Sequence, residues 1–260
     1  MVRKYETWPG TNRFLPCGCM LGPLSDISAN LCVYCCVLGV SIPYCIFMLP
    51  KVWEVSPALP IIFLICVATT ILFLNLTQCT DPGIIPRRPY LMKNSQNFKK
   101  YLEPSNKVPA KTKFCKTCKV YRPSRAFHCS ACGNCVLVFD HHCAFVNNCI
   151  GMRNYRFFVS FLGSMMISII LFFVNVVIFG MKNTNQGVSQ TAVIVICVLV
   201  GVFIGLPLLG FFAFHLYLVC RGITTRELLK DLNLATQNED EEEVQENQWC
   251  FVDPPFVNLF

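Results

Sequence analysis

Charge is what this 260-residue chain has little of. Asp, Glu, Lys and Arg together make up 14% of it, against roughly 25% in a soluble domain, while hydrophobic residues reach 54%. Several runs carry no charge over the roughly 20 residues that a helix needs to cross a hydrocarbon core of about 30 Å, which excludes an ordinary soluble globule. The start, Met1-Val2-Arg3-Lys4-Tyr5-Glu6, lacks the apolar core and small-residue cleavage site of a signal peptide, so its removal is not expected. The apolar runs hold no acidic, basic or imidazole side chain except His215, read as a satisfied helix-end residue, and this argues against a metal transporter. No helix motif that could read base edges is present, so nucleic acid is not an expected partner.

Four runs qualify as spans: about Ala29 to Leu49 with Pro43 as a tolerated kink, Pro57 to Leu76, Phe157 to Phe179, and Thr191 to Val219 bent at Pro207. They divide the chain into a lead (1–28), the first two spans (29–77), a polar segment (78–156), the last two spans (157–220) and a tail (221–260). The polar segment holds fourteen of the 22 Lys and Arg residues, against only Asp81, Glu103 and Asp140. Arg87, Arg88, Arg153, Arg156, Arg221 and Arg226 flank the spans on one side, while the opposite loops offer Lys51 and Lys182. The positive-inside rule therefore places both termini and the polar segment in the cytosol, next to the lipid bilayer.

Cysteine is abundant, and its distribution matters more than its number. From Cys115 to Cys149 the chain packs seven of its 18 cysteines and three of its 4 histidines. Cys115-x2-Cys118 and Cys129-x2-Cys132 are spaced as metal knuckles, and Cys135 repeats the step; in a reducing compartment such spacing favours zinc over disulfides. Two closed tetrahedral sites use eight of the ten possible ligands. If each takes three cysteines and one histidine, one Cys and one His remain. A cysteine beside a histidine is the arrangement of an activated thiolate, and a carboxylate can fix the histidine tautomer. Asp140-His141-His142-Cys143 supplies all three groups. Counting does not decide which histidine is spare, and it leaves a third metal or an unused structural thiol open. No internal repeat is read from the letters. Cys17 and Cys19 are read as unmodified thiols near a membrane, with lipid attachment as the alternative.

The segment resembles the cysteine-rich domain of the DHHC-type protein S-acyltransferases, or palmitoyltransferases. It carries their ligand spacing, the Arg-Pro-x-Arg step at Arg122 to Arg125, the Asp-His-His-Cys tetrapeptide, and the continuation through Asn148, Cys149, Gly151 and Asn154. Asp81-Pro82-Gly83 and Thr224-Thr225-x-Glu227 resemble the family's two accessory motifs. The implied fold is a polytopic α-helical membrane protein, with four transmembrane helices and a cytosolic cysteine-rich two-zinc domain between the second and third. The resemblance gives one structural Zn2+ to Cys115, Cys118, His128 and Cys135, and the other to Cys129, Cys132, His142 and Cys149. Cys143 is then the acyl-carrying nucleophile, His141 its base and Asp140 the orienter. The implied reaction moves a long-chain acyl group from an acyl-CoA, palmitoyl-CoA in the first place, through Cys143 to cytosolic cysteines of membrane-associated proteins. In this picture the acyl chain lies among the spans.

Ala144-Phe145 stand where the family has Pro-Trp, a departure expected to alter rate or chain preference. Phe158 and Phe161 are candidates for an acyl cavity or for plain helix packing. Thr224 and Glu227 have capping-box spacing as well as the family match, which implies docking on the central domain. Lys116, Lys119, Arg122 and Arg125 suit CoA phosphates or anionic lipid equally. Tyr5-Glu6-x-x-Pro9-Gly10-x-Asn12-x-Phe14 resembles the branch related to Ras palmitoyltransferases, implying residence in Golgi or ER and a small accessory subunit. The acidic run Glu239 to Glu246 reads as solvated, and Phe256 to Phe260 as an apolar tail. The competing reading of the whole chain is a membrane-anchored zinc scaffold without catalysis.

Overall fold

Where the sequence turns apolar it turns helical, because a backbone in hydrocarbon has only itself to bond. The computed structural model describes residues 10–15, 19–87, 113–182 and 188–239. Tyr5, Glu6, Pro9, Cys17, Arg88, Glu103 and the tail beyond Glu239 lie outside these residues. Four helical segments are long and apolar enough to cross a membrane: Leu24–Trp53, Ala58–Cys79, Tyr155–Met181 and Gly201–Arg221. The protein is therefore a multi-pass membrane protein.

The first span is not a simple kinked helix at Pro43. Helix α1 (Ile27–Pro43) runs through that residue into a widened turn, Tyr44–Met48, and continues as α2 (Leu49–Trp53). The cause is Pro50, which has no N–H and whose ring crowds the carbonyl one turn earlier. The ladder opens to a π-turn in which Leu49 N–H donates to Tyr44 O. Helix α3 is Ala58–Cys79, α4 is Tyr155–Lys182 and α5 is Val188–Arg221, with Pro207 inside it. Gly222 ends α5 with φ +65°, and Ile223 N–H returns to Leu218 O at 3.2 Å, the left-handed stop that glycine permits. A fifteen-residue helix, α6 (Thr225–Glu239), follows.

The contacts separate into two units. The helical unit takes Ile27–Thr77 and Phe157–Tyr217. Its core is Tyr44, Met48, Val52, Phe63, Val67, Val176 and Phe179. Many large apolar side chains face outward instead, Phe47 at 68% and Phe203 at 74% exposure among them, as a bilayer rather than water requires. Side-chain hydrogen bonds cross between helices: Tyr44 Oη donates to Asn175 Oδ1 (3.1 Å), Tyr34 Oη to Asn75 Oδ1 (3.0 Å), and Thr70 meets Ser168 (3.3 Å). Phe158 and Phe161 are buried, and Phe158 packs edge-on to Phe211 and His215. An apolar cavity of about 320 Å³ opens within this unit between Val37, Tyr44, Phe63, Ser168, Phe172 and Gly205.

The second unit takes the described residues of Met1–Asp26, Gln78–Arg156 and Leu218–Phe260. It is built from short antiparallel pairs. Strands β1 (Arg13–Phe14) and β2 (Met20–Leu21) pair in the lead, and β3 (Ile84–Ile85) adds to the strand Asn134–Val136. Three hairpins follow: β4 (Lys113–Cys115) with β5 (Val120–Arg122), β6 (Phe127–Cys129) with β7 (Asn134–Val136), and β8 (His141–Cys143) with β9 (Asn148–Ile150). Two small cores, one around Cys129, Cys132, Cys149, Met20 and Phe139, the other around Cys115, Cys118, Cys135 and Val120, show how little apolar mass holds this unit without metal.

Candidate active site

The three hairpins are one structure repeated at a spacing of fourteen residues, a repeat that the letters alone did not reveal. Their innermost pairs are Cys115↔Val120, Cys129↔Asn134 and Cys143↔Asn148. After each cysteine comes a tight turn whose fourth residue has positive φ: Lys119 (57°), Gly133 (67°) and Asn147 (53°). In the first two turns the third residue is the second knuckle cysteine, and Cys118 N–H and Cys132 N–H donate to Cys115 Sγ and Cys129 Sγ at 3.4 Å. In the third turn that position is Val146.

This register dictates how ligands are shared. The knuckle of hairpin one meets His128 and Cys135 from the strands of hairpin two, and the knuckle of hairpin two meets His142 and Cys149 from the strands of hairpin three. Within each set of four, the candidate ligand atoms lie within 4.8 Å of one another. His128 Nδ1 stands 3.6, 3.4 and 3.7 Å from the sulfurs of Cys115, Cys118 and Cys135. His142 Nδ1 stands 3.4 and 3.5 Å from Cys132 and Cys149. A tetrahedral zinc with Zn–S of about 2.3 Å and Zn–N of about 2.0 Å needs N···S separations of about 3.5 Å, so both sets fit the ion. Crowding of the thiols points the same way. The hydrogen bond shared with Cys135 drives the Cys118 thiol down to about 5 and pushes Cys135 up. In the other set, Cys129 is pushed down and Cys149 up. Four soft donor atoms grouped this closely suit a cation between them.

Cys143 begins the third turn, and among the described residues no fourth hairpin follows to supply a histidine and a cysteine for it. Alternation along β8 does the rest: His142 points to one face, and His141 and Cys143 share the other. Cys143 is buried. His141 Nδ1 lies 2.6 Å from Asp140 Oδ2. Burial opposes charge on this imidazole, yet hydrogen bonds to Asp140 and Cys143 outweigh it and raise its pKa to about 9. The Asp140 side chain is fully enclosed. Burial would raise its pKa, but the bonds from His141 and from Thr225 hold it below the usual carboxylate range.

Thr225 is where the motif after the last span reaches the site. Its N–H donates to Asp140 Oδ1 and its hydroxyl to Asp140 Oδ2, both at 2.8 Å. The capping box also forms, with Glu227 N–H donating to Thr224 Oγ1 (3.2 Å) and Thr224 N–H to Glu227 Oε2 (2.7 Å). Capping and docking are thus the same event. Glu227 accepts a two-pronged bond from Arg125, Nε to Oε1 at 2.6 Å and Nη2 to Oε2 at 2.8 Å, and Arg125 Nη2 also donates to Gly222 O at 3.0 Å. Arg125 is therefore committed to α6 rather than presented to an anionic ligand. Lys116 and Lys119 are exposed.

The remaining motif residues brace the frame. Asp81 Oδ1 accepts from Gly83 and Ile84 N–H at 2.9 Å, and its Oδ2 from Arg153. Asn148 Nδ2 donates to Gln78 O (2.9 Å) and Thr80 O (3.0 Å), the carbonyls on either side of Cys79. Asn154 Nδ2 holds Cys149 O at 2.8 Å. Gly151 has no room for a side chain, since a Cβ would lie 2.7 Å from Pro82 O. Cys19 was expected as an unmodified thiol; the structure joins it to Cys79 in a disulfide. Phe145, in the turn after Cys143, is 60% exposed. His142 also meets Asp26 of the lead, a contact that nothing in the letters signalled.

Comparison with known proteins agrees with this construction. The DHHC palmitoyltransferase profile matches residues 109–232. The chain is 40% identical to Palmitoyltransferase ZDHHC8 of Drosophila melanogaster, over 62% of this chain but 18% of that protein. It is 33% identical to Probable protein S-acyltransferase 1 of Arabidopsis thaliana, over 99% of this chain and 85% of that one. With Palmitoyltransferase ZDHHC18 of Mus musculus it shares 35% identity over 88% of this chain and 65% of the other. With three interlocked hairpins, two zinc-shaped ligand sets and one cysteine left beside a histidine–aspartate pair, the chain belongs to the DHHC palmitoyltransferase family.

Proposed function

We propose that this protein is a protein S-acyltransferase that transfers a long-chain acyl group, palmitoyl first of all, from acyl-CoA to cysteines of membrane-associated proteins. The observation that carries this reading is the relay from Thr225 through Asp140 to His141 beside Cys143. Asp140 fixes His141 with Nδ1 protonated, which leaves Nε2 to take the Cys143 proton. The Cys143 thiolate attacks the thioester carbon of the acyl-CoA. An S–C bond forms to Cys143, the bond to the CoA sulfur breaks, and CoA leaves as the thiol with the proton held on His141. In the second half a substrate cysteine attacks the acyl-Cys143 thioester, and His141 removes its proton and returns it to Cys143. One thioester is exchanged for another, so the site has to supply orientation and thiolate rather than driving force. Cys115, Cys118, His128, Cys135 and Cys129, Cys132, His142, Cys149 would hold two zinc ions, which when bound supply rigidity to a domain with little core of its own.

The orientation that follows from the arginine distribution is cytosolic for both termini and the cysteine-rich segment, on an endomembrane such as Golgi or ER. Residence and a small accessory subunit rest on the lead's resemblance alone. Incubation with labelled palmitoyl-CoA should give a hydroxylamine-sensitive label on Cys143. Cys143→Ser should abolish that label and retain about two zincs per chain, the stoichiometry of two closed sites. Undiminished label in that variant would overturn the assignment. Zinc content with no label in the unaltered protein would favour the scaffold reading.

A further inference from the structure

The two histidines in the zinc-shaped sets are treated differently by their surroundings. Both turn Nδ1 toward sulfur, leaving Nε2 on the far side of the ring. His142 Nε2 meets Asp26 Oδ2 at 2.7 Å, in a contact where both side chains are largely enclosed. Among the described residues no carboxylate pairs with His128 in this way. Asp26 is itself held, since its other oxygen accepts from Ser25 Oγ at 3.0 Å.

Asp26 arrives there because the lead is strapped to this half of the unit along its length. Thr11 donates from N–H to Cys132 O (3.1 Å) and from its hydroxyl to Ala131 O (2.7 Å), gripping the second knuckle. Asn12 Oδ1 accepts from Asn134 Nδ2 at 2.6 Å. Met20 packs into the core of Cys129, Cys132 and Cys149. Gly22 N–H donates to Asn147 O at 2.7 Å, and only glycine can come so near, because a Cβ there would sit 2.5 Å from that oxygen.

We propose that Asp26 is a positioning residue for the second zinc site, fixing the tautomer and ring angle of His142 from the N-terminal lead. A carboxylate on the far nitrogen of a metal-binding imidazole keeps the near nitrogen deprotonated and aimed at the ion, and losing such a partner typically costs about 10- to 100-fold in metal affinity. His142 lies between His141 and Cys143 in β8, so the same contact holds the strand that carries the reacting cysteine. The lead is then a working part of the zinc fold rather than a preamble to the first span. This proposal rests on the two-zinc reading, and its test is independent of acyl transfer.

The test uses the full-length protein purified in detergent, with zinc release to an excess of chelator followed over time. Asp26→Ala and Asp26→Asn should speed the release of one zinc about 10- to 100-fold and leave the other unchanged. Asp26→Glu should restore slow release in part. Acyl labelling of Cys143 in the same samples tells whether the reaction reading fails separately. Two zincs leaving at unaltered rates in both variants would overturn the proposal. Equal acceleration of both zincs, or of neither until the protein unfolds, would assign Asp26 a general structural role and overturn it as well.

Discussion

Replacing Asp140 by Asn changes one atom and should disable the site without disturbing its shape. Asp140 accepts three hydrogen bonds, from His141 Nδ1 at 2.6 Å and from Thr225 N–H and Oγ1 at 2.8 Å each. The introduced amide can keep the Thr225 N–H bond through its carbonyl oxygen. Its NH2 then faces His141 Nδ1 and the Thr225 hydroxyl, and the hydroxyl can rotate to accept. His141 cannot rotate its way out. To accept from the amide, its Nδ1 must lose the proton to Nε2, and an Nε2–H imidazole cannot take a proton from Cys143. The loss is that of general-base catalysis, about 100- to 10,000-fold, equivalent to about 3–5 kcal/mol of barrier. Single-turnover labelling of Cys143 by palmitoyl-CoA measures it directly, with zinc content as the control for folding. A rate within tenfold of the unaltered protein, with both zincs retained, would refute the relay.

Thr225→Val removes one of Asp140's three donors and leaves the tautomer alone, so labelling should slow by only about tenfold, the lower end for a hydrogen bond to a charged group. Arg125→Leu breaks the two-pronged pair with Glu227, whose side chains are 22% and 25% exposed; α6 should loosen at a cost of about 1–3 kcal/mol, seen as faster amide exchange across Thr225–Glu239. Gly22→Ala places a Cβ 2.5 Å from Asn147 O and should lower thermal stability by about 1–3 kcal/mol, in a melt followed by tryptophan fluorescence. Digestion under non-reducing conditions after rapid alkylation tests the Cys19–Cys79 link against the proposed cytosolic orientation, in which such a bond is rare: a linked peptide would speak against that orientation, and complete alkylation of both thiols would show the pair reduced.

The spans and the ligand stock could be read from the letters because both depend on composition over short windows. Ala58–Cys79 and Tyr155–Lys182 match the expected runs to within three residues. The same letters held the fourteen-residue repeat and did not show it. Only Cys115, Cys129 and Cys143 recur at all three places, while Lys119, Gly133 and Asn147 share a backbone conformation and no chemistry. The hairpin registers were needed to see that Val146 stands where Cys118 and Cys132 stand. Asp26 was illegible for a different reason: its partner lies 116 residues away, and a single acidic residue before an apolar run reads as a helix start. The widened turn at Tyr44–Met48 was misplaced in the letters, where Pro43 reads as the kink while Pro50 opens the ladder.

The unfinished third hairpin carries a toxicological consequence. It keeps the first ligand position of a metal knuckle, with its turn conformation intact, but among the described residues it lacks the partner thiol and the following strands that would satisfy an ion. Cys143 is consequently the one cysteine of the array with an open valence toward soft metals. Cadmium, mercury or organic arsenicals, which favour thiolate, would find the neighbouring thiols already engaged in closed sets and this one not. Within the array such agents should therefore reach Cys143 before they displace zinc from either closed set.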